Sequence, residues 1–379
     1  MESFLEWFSA HLNLMSPTVF FQQLLNGLML GSLYGLVAIG YTMVYGILRL
    51  INFAHGDIFM LGAYFVFFMG MPIVFPNEGM LWFFLLCSVI TLIIWFFSRK
   101  RNMITTQSSP SLGSRSSKIY LFCVVLFLIA GFASYTLNMS ILLPWALAVI
   151  LAIIFASCCG VIVEKAAYKP LRNAPRISAL ISAIAVSFLI ENLALVLFSG
   201  VPKPVYQPEW LVDSIKFSGF SILPISILIP CVSLSLAGLL LWIVYKTKPG
   251  LAMRAISKDI ETTRLMGVKV NQIIALTFAL GSALAAASGI MWALRYPQIH
   301  PFIGVLPGFK AFIAAVFGGI GSIQGAIVGG LFLGFVEIMT VAFFPSLSGY
   351  RDAFAFVLLI VILLIKPTGL MGEKIEDKI

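Results

Sequence analysis

Long, unbroken apolar runs recur along this chain, and that recurrence constrains the fold more than any single motif. A bilayer core of about 30 Å takes roughly 20 apolar residues per helix. Runs of that kind fall at about 18–47, 56–75, 80–97, 119–137, 141–163, 177–199, 222–245, 272–294, 302–317, 323–344 and 351–365. Barrel strands would alternate polar and apolar residues, so the runs read as helices. Composition agrees: 60% of the 379 residues are hydrophobic and 10% charged, too oily for a water-soluble domain of this length. The expected fold is all-α: a polytopic membrane protein of about 9–11 transmembrane or partly re-entrant helices.

If every run crosses, the connecting segments alternate sides and their Lys and Arg residues can be counted. One side collects nineteen, in the segments around Arg49, Arg99–Lys118, Lys165–Arg176, Lys246–Lys269 and Lys366–Lys378. The other collects four, Lys203, Lys216, Arg295 and Arg351, and Lys310 falls inside a run. Positive charge stays cytoplasmic during insertion, which predicts an N-terminus outside and a C-terminus inside. Residues 1–17 then form a short extracytoplasmic segment, 18–372 one transmembrane domain and 373–379 a cytoplasmic tail. Residues 1–17 carry Glu2 and Glu6 but no basic residue, so the first helix is expected to act as its own insertion signal. The basic pI of about 9.3 is topological and calls for no nucleic acid. The five cysteines lie in or near apolar runs without ligand spacing and read as small hydrophobes.

Gly27, Gly31 and Gly35 are spaced four apart in the first run, and Gly321, Gly325 and Gly329 near the tenth. Such series let a neighbouring backbone approach closely. Residues 98–118 are basic and Ser-rich and read as a cytoplasmic loop; 200–221 form the longest external loop.

An ionised group at bilayer depth costs on the order of 3 kcal/mol, so each one is a candidate for function. The candidates for a transport pathway are Asn52, His55 and Asp57 in "RLINFAHGDIF", Glu191, Lys310 and Glu337. Each also has a plainer reading: a capped turn at 52–57, structural pairing of Glu191 and Glu337, and an interface-seeking Lys310. Lys310 follows Pro307 and Gly308, which suggests a broken or half-membrane helix there. The three histidines lack partners at metal-ligand spacing, and no cofactor is called for. No GxxxxGK[ST], GxSxG or HExxH sequence is present, so any ATP is handled by another chain and no enzymatic constellation is recognised.

Residues 246–270 differ from the other connections. Leu251–Met266 is expected to form one short amphipathic helix ended by Gly267, with Arg254, Asp259, Glu261 and Arg264 as charged contacts. Glu261-Thr262-Thr263 followed by Gly267 resembles the EAAxxxG coupling signature of ABC importer permeases, with Thr at both Ala positions.

Taken together, "GSLYGLVAIGYTMVYGILRLINFAHGDIFMLGAY" (31–64), "AYKPLRNAPRISALISAIAVSFLIEN" (167–192), "GLAMRAISKDIETTRLMGV" (250–268), "FKAFIAAVFGGIGSIQGAIVGG" (309–330) and "KPTGLMG" (366–372) resemble the branched-chain amino acid ABC importer permeases, nearest the H-type subunit. The resemblance implies an inner-membrane permease paired with a second, similar permease and two cytoplasmic ATPase subunits, fed by a periplasmic substrate-binding protein. Residues 79–138 depart from the family layout and read as an added helical hairpin whose even number of crossings preserves the core topology. A self-contained secondary transporter with a His55–Asp57 proton relay is the alternative.

The charge count makes a direct prediction. Cysteines placed at the N-terminus or in 201–216 should react with an impermeant label from the periplasm, and those at 105–115 or 258–264 should not; the reverse pattern would overturn the orientation.

Overall fold

The computed structural model describes residues 17–70, 145–172, 174–217, 220–366 and 368–372, with a few single positions between 85 and 129. The expected hairpin at 79–138 lies almost wholly outside these residues, and the expected helix at 56–75 is described as far as Gly70.

The described chain is mostly helical. The main helices are α1 (Pro17–Leu48), α2 (His55–Gly70), α3 (Trp145–Val163), α4 (Arg176–Phe198) and α5 (Pro224–Lys246). They continue with α6 (Lys248–Lys258), α7 (Ile260–Leu265), α8 (Val270–Arg295), α9 (Val305–Gly318), α10 (Ile323–Phe343) and α11 (Arg351–Ile365). Seven helical segments of the described residues are long and apolar enough to cross a membrane, and two apolar helices, α2 and α9, are shorter. The only strands among the described residues are four short ones, β1 (Lys203–Pro204), β2 (Ile215–Phe217), β3 (Phe220–Ile222) and β4 (Gln298–Ile299). Antiparallel pairing of β1 with β4 ties the segment after α4 to the segment after α8, and β2 pairs with β3.

The first helix is the axis of the bundle. It packs most extensively on α10, and also on α8, α9 and α5. Lipid is as apolar as Leu, so helices associate through packing rather than through escape from water, and small residues let them close. Here the two sequence series meet through different faces. A Cβ on Gly31 would stand 2.7 Å from the Leu331 Cα and 2.9 Å from the Gly330 oxygen, and one on Gly27 would stand 3.2 Å from the Phe335 Cα. On the α10 side the glycines at this seam are Gly330 and Gly334, which abut the backbones of Gly35 and Gly31. Gly325 and Gly329 face α9 instead, against Gly318 and Ala314. Gly321 belongs to neither seam. It lies in the turn before α10 at φ +99° with open space around it, so its glycine serves the left-handed turn.

The two half-length helices begin at the middle of the bundle. At the start of α2, His55 lies against Gly40 and Gly281, and Asp57 reaches Ser187 and Glu191 midway along α4. Its far end, at Tyr64 and Phe68, stacks on Phe198, the last residue of α4. The start of α9 meets the start of α2: a Cβ on Gly56 would stand 2.7 Å from the Gly304 oxygen and 3.4 Å from the Gly308 Cα. Its far end, at Gly318 and Gly319, packs on Gly325 and Gly372. The two helices therefore meet N-terminus to N-terminus and run to opposite ends. Pro307 and Gly308 sit in the first turn of α9, where a missing N–H is tolerated, and do not break it. Leaving aside residues 71–144, the order long helix, half helix, long helix, further helix occurs twice, in α1–α4 and α8–α11. Gly40 faces Gly281 and Leu33 faces Ser288, so α1 and α8 are antiparallel and the second set is inverted.

The glycine seam yields a stability prediction. Gly330→Val would force α1 and α10 apart and should cost on the order of 1–3 kcal/mol, read as a lower melting temperature of the purified protein, whereas Gly238→Ala, with nothing within 4 Å, should leave it unchanged.

Candidate functional site

The six sequence candidates fall into two clusters on either side of the Gly56–Gly304 contact. No hydrogen bond or ion pair among the described residues joins the clusters.

Asn52, His55, Asp57 and Glu191 form the first cluster, and all are buried. The sequence before α2 cannot run straight into a helix, because Arg49 adopts φ 52° and turns the chain after α1. Asn52 then uses its carbonyl to accept the His55 N–H and opens the short helix. Its side-chain oxygen accepts a hydrogen bond from the Tyr168 hydroxyl at 2.8 Å. Tyr168 reaches this point because α3 continues as a π-helical turn, Glu164–Tyr168, and then a 3-10 turn containing Pro170. That wider turn swings Tyr168 inward, where it also meets Phe278. The buried Glu164 pairs with Arg172, which donates to the Asn271 side-chain oxygen at 2.6 Å and so fixes the end of α3 to the start of α8.

His55 is held by packing rather than by a charge relay. Its ring lies 4.7 Å from Tyr41, edge to face, and an imidazole N–H donates to the Val37 carbonyl. Its Nε2 faces Gly40. The Tyr41 oxygen in turn accepts the Gly56 N–H and lies close to Gly308, so one phenol bridges the starts of both half helices. Asp57 occupies the first turn of α2, where the helix dipole favours an acid, and its carboxyl group meets the Ser187 hydroxyl and the Glu191 carboxyl.

Lys310 and Glu337 form the second cluster. The Lys310 ammonium is 2.8 Å from Glu337 Oε1 and 2.6 Å from Asp352 Oδ1, with side-chain exposures of only 4% for Lys310 and 2% for Glu337. The Tyr34 hydroxyl donates to Glu337 Oε2 at 3.1 Å, and the Tyr34 ring lies 5.8 Å from the ammonium. Arg351 Nε stands 3.5 Å from Glu337 and 3.6 Å from Asp352. The lysine does not reach for an interface. It is fully paired, and it joins α9, α10 and α11 at a point where α1 supplies the fourth wall.

The coupling-type segment departs from its expected form. It is two helices, not one, because Asp259 breaks the run and caps the second: its carboxylate accepts the N–H groups of Glu261 and Thr262. Asp259 is thus a capping residue first, and the helix buries Met253 and Ile256 while Leu251 points outward. Gly267 has φ +81° with open space around it, the left-handed terminus expected of it. Just before it, Leu265 and Met266 are 86% and 80% exposed. Glu261 and Arg264 are exposed beside them, and Arg254 lies over the Tyr245 ring at 5.4 Å.

Sequence reasoning missed Tyr34, Tyr41, Glu164, Tyr168, Arg172, Ser187, Arg351 and Asp352. Tyr34, Tyr41 and Ser187 gave no signal, since each is an ordinary residue within an apolar run, and Tyr168 lies in a basic connecting segment where nothing marks it as inward-facing. Glu164 and Arg172 were readable as a charged pair flanking "KAAYKPL" at helical spacing.

Comparison with known proteins gives a consistent answer. The family model for the branched-chain amino acid transport system permease component matches residues 23–113 and 115–363. The high-affinity branched-chain amino acid transport system permease protein LivH of Salmonella typhimurium is 35% identical over 364 residues, covering 95% of this chain and 98% of that protein. LivH of Escherichia coli is 34% identical with the same coverage. BraD of Pseudomonas aeruginosa, described in the same terms, is 37% identical over 366 residues, again with 95% and 98% covered. No solved structure matches.

The second cluster can be tested by breaking and then rebalancing it. Lys310→Met leaves the buried Glu337 carboxylate with only the Tyr34 hydroxyl and the half-exposed Arg351 at 3.5 Å, and should destabilise the protein by about 3 kcal/mol. Adding Glu337→Gln, which leaves the Arg351–Asp352 pair, should recover most of that loss in a thermal-unfolding assay.

Proposed function

Because the chain belongs to the branched-chain amino acid transport permease family, we propose that residues 247–269 are the segment through which ATPase subunits drive it. It is the permease component of an ABC transport system and carries no ATP site of its own. Its proposed partners are a second, similar permease, two cytoplasmic ATPase subunits and a periplasmic substrate-binding protein. Its proposed setting is the inner membrane, N-terminus outside and C-terminus cytoplasmic, with the basic ends of α1, α3 and α5 beside the ATPases.

The observation that carries the reading is the shape of this segment. Two short helices meet at a capped corner and end in a left-handed glycine that presents Leu265 and Met266 outward. An apolar knob flanked by Glu261 and Arg264 suits a groove on a soluble partner. Residues 266–269 then lead into α8, which packs on α1, α2 and α3, so a push on the knob reaches the half helix α2. Substrate passage is proposed to involve Asp57 and Glu191 on one side of the half-helix contact and Lys310 and Glu337 on the other. A proton relay through His55 and Asp57 has no geometric support, since the two ring nitrogens face Val37 and Gly40.

Gly267→Val has space for its side chain but not the backbone conformation, and should cost more than about 1 kcal/mol locally. The expected phenotype in reconstituted complexes is normal insertion with idle or weakened ATP hydrolysis and little leucine uptake, and Glu261→Lys should behave alike. Wild-type coupling in both variants would remove this segment from the transmission path.

A further inference from the structure

One cleft opens at the end of the bundle opposite residues 247–269, between the start of α1, the end of α10 and the 3-10 segment Pro345–Tyr350. Val19, Gln23, Val341 and Ala342 line its walls, and Glu337 and Arg351 line it deeper in. Its volume is about 320 Å³, at the lower end of the usual range for a small-molecule site. Of the ion cluster described above, Glu337 and Arg351 line the cleft, and Lys310 and Asp352 stand behind them. That cluster holds two cations, Lys310 and Arg351, and two anions, Glu337 and Asp352.

Stapling three helices together accounts for the buried Lys310–Glu337 pair. It does not account for Arg351, which is 53% exposed and faces the cleft beside a carboxylate that is almost wholly buried. A balanced cluster in low dielectric penalises a guest that brings net charge, because the surplus has no counter-ion there. It accepts a guest that is itself balanced and presents both signs a few ångströms apart. Gln23 apart, the remaining wall is apolar.

We infer that this cleft binds a zwitterionic α-amino acid with an apolar side chain: the carboxylate on Arg351, the ammonium on Glu337, and the side chain against Val19, Val341 and Ala342. The inference rests on the permease reading and names where its substrate is first met. The cleft lies at the end away from the coupling segment, where an importer takes up its load. Arg351 is the specificity-determining cation, since the guanidinium fork matches a carboxylate.

The test uses the whole complex in nanodiscs, freed of native cysteines, with Val341→Cys on the cleft wall; Ala342→Cys serves if the first does not assemble. Alkylation by a maleimide is followed with L-leucine, with L-leucinamide, which lacks the carboxylate, and with 4-methyl-2-oxopentanoate, which lacks the ammonium. Leucine at about twice its Kd should slow labelling about threefold, as mass action requires, while the two analogues should leave it nearly unchanged. Arg351→Gln leaves one cation against two carboxylates and should invert the preference, so that leucinamide protects better than leucine; Arg351→Lys should keep the leucine preference. A merely structural arginine would not invert it. Equal protection by all three compounds, no protection by leucine, or an unchanged preference in Arg351→Gln would overturn the cleft assignment. ATP-driven leucine uptake by the same complexes is measured in parallel: its absence in the unsubstituted complex strikes the permease reading, whereas its presence without protection strikes the cleft alone.

Discussion

Close approach of the α1 and α10 backbones, glycine against glycine, is the contact on which the rest of the structure depends. It brings Tyr34 on one helix to Glu337 on the other, at 3.1 Å. Glu337 in turn holds Lys310 on α9, and Lys310 holds Asp352 on α11. Each of these polar groups is affordable only because its partner is already in place, since an unpaired charge in a medium without water costs several kcal/mol. Small residues therefore set the helix separation, and the separation decides which charges can be buried.

The sequence discloses this structure unevenly, for physical reasons. Long apolar runs read directly as helices because the bilayer demands an unbroken hydrogen-bonded segment, and most ends agree within a few residues. Gly267 was readable because a chain turning out of a short helix favours a left-handed residue, and φ +81° is what the fold has there. The capping role of Asp259 was also legible, since an acid three residues before a Thr-Thr pair is a good cap, but the amphipathic pattern on both sides masked the break. Gly321 was assigned to a packing face by spacing alone, which does not distinguish a helix from the turn before it. The tertiary partners were beyond reach. Nothing in "SALISAIAVSFLIEN" marks Ser187 as the hydroxyl that meets Asp57, because that pairing depends on where α2 begins in depth.

Two ends of the molecule carry different chemistry, and one helix connects them. At the end that carries α6 and α7, segments rich in Lys and Arg surround two short capped helices; at the other, short β pairings clamp the segments after α4 and α8. Between them α8 runs from Val270 to Arg295 as an unbroken rod, anchored at its start by Arg172 and along its length by α1, α2 and α3. A rod that belongs to the second inverted set and is seated on three helices of the first is well placed to shift them, since displacement at its base moves every wall it touches.

The meeting of the half helices at Gly56, Gly304 and Gly308 also sets how tightly the bundle is shut. No backbone N–H of either helix crosses that contact to a carbonyl of the other among the described residues. What holds it is backbone packed on backbone, with the Tyr41 hydroxyl beside both Gly56 and Gly308. A plug so made can part and close again without exposing an unsatisfied donor to lipid or stranding a charge, so the barrier to opening lies in repacking the surrounding side chains.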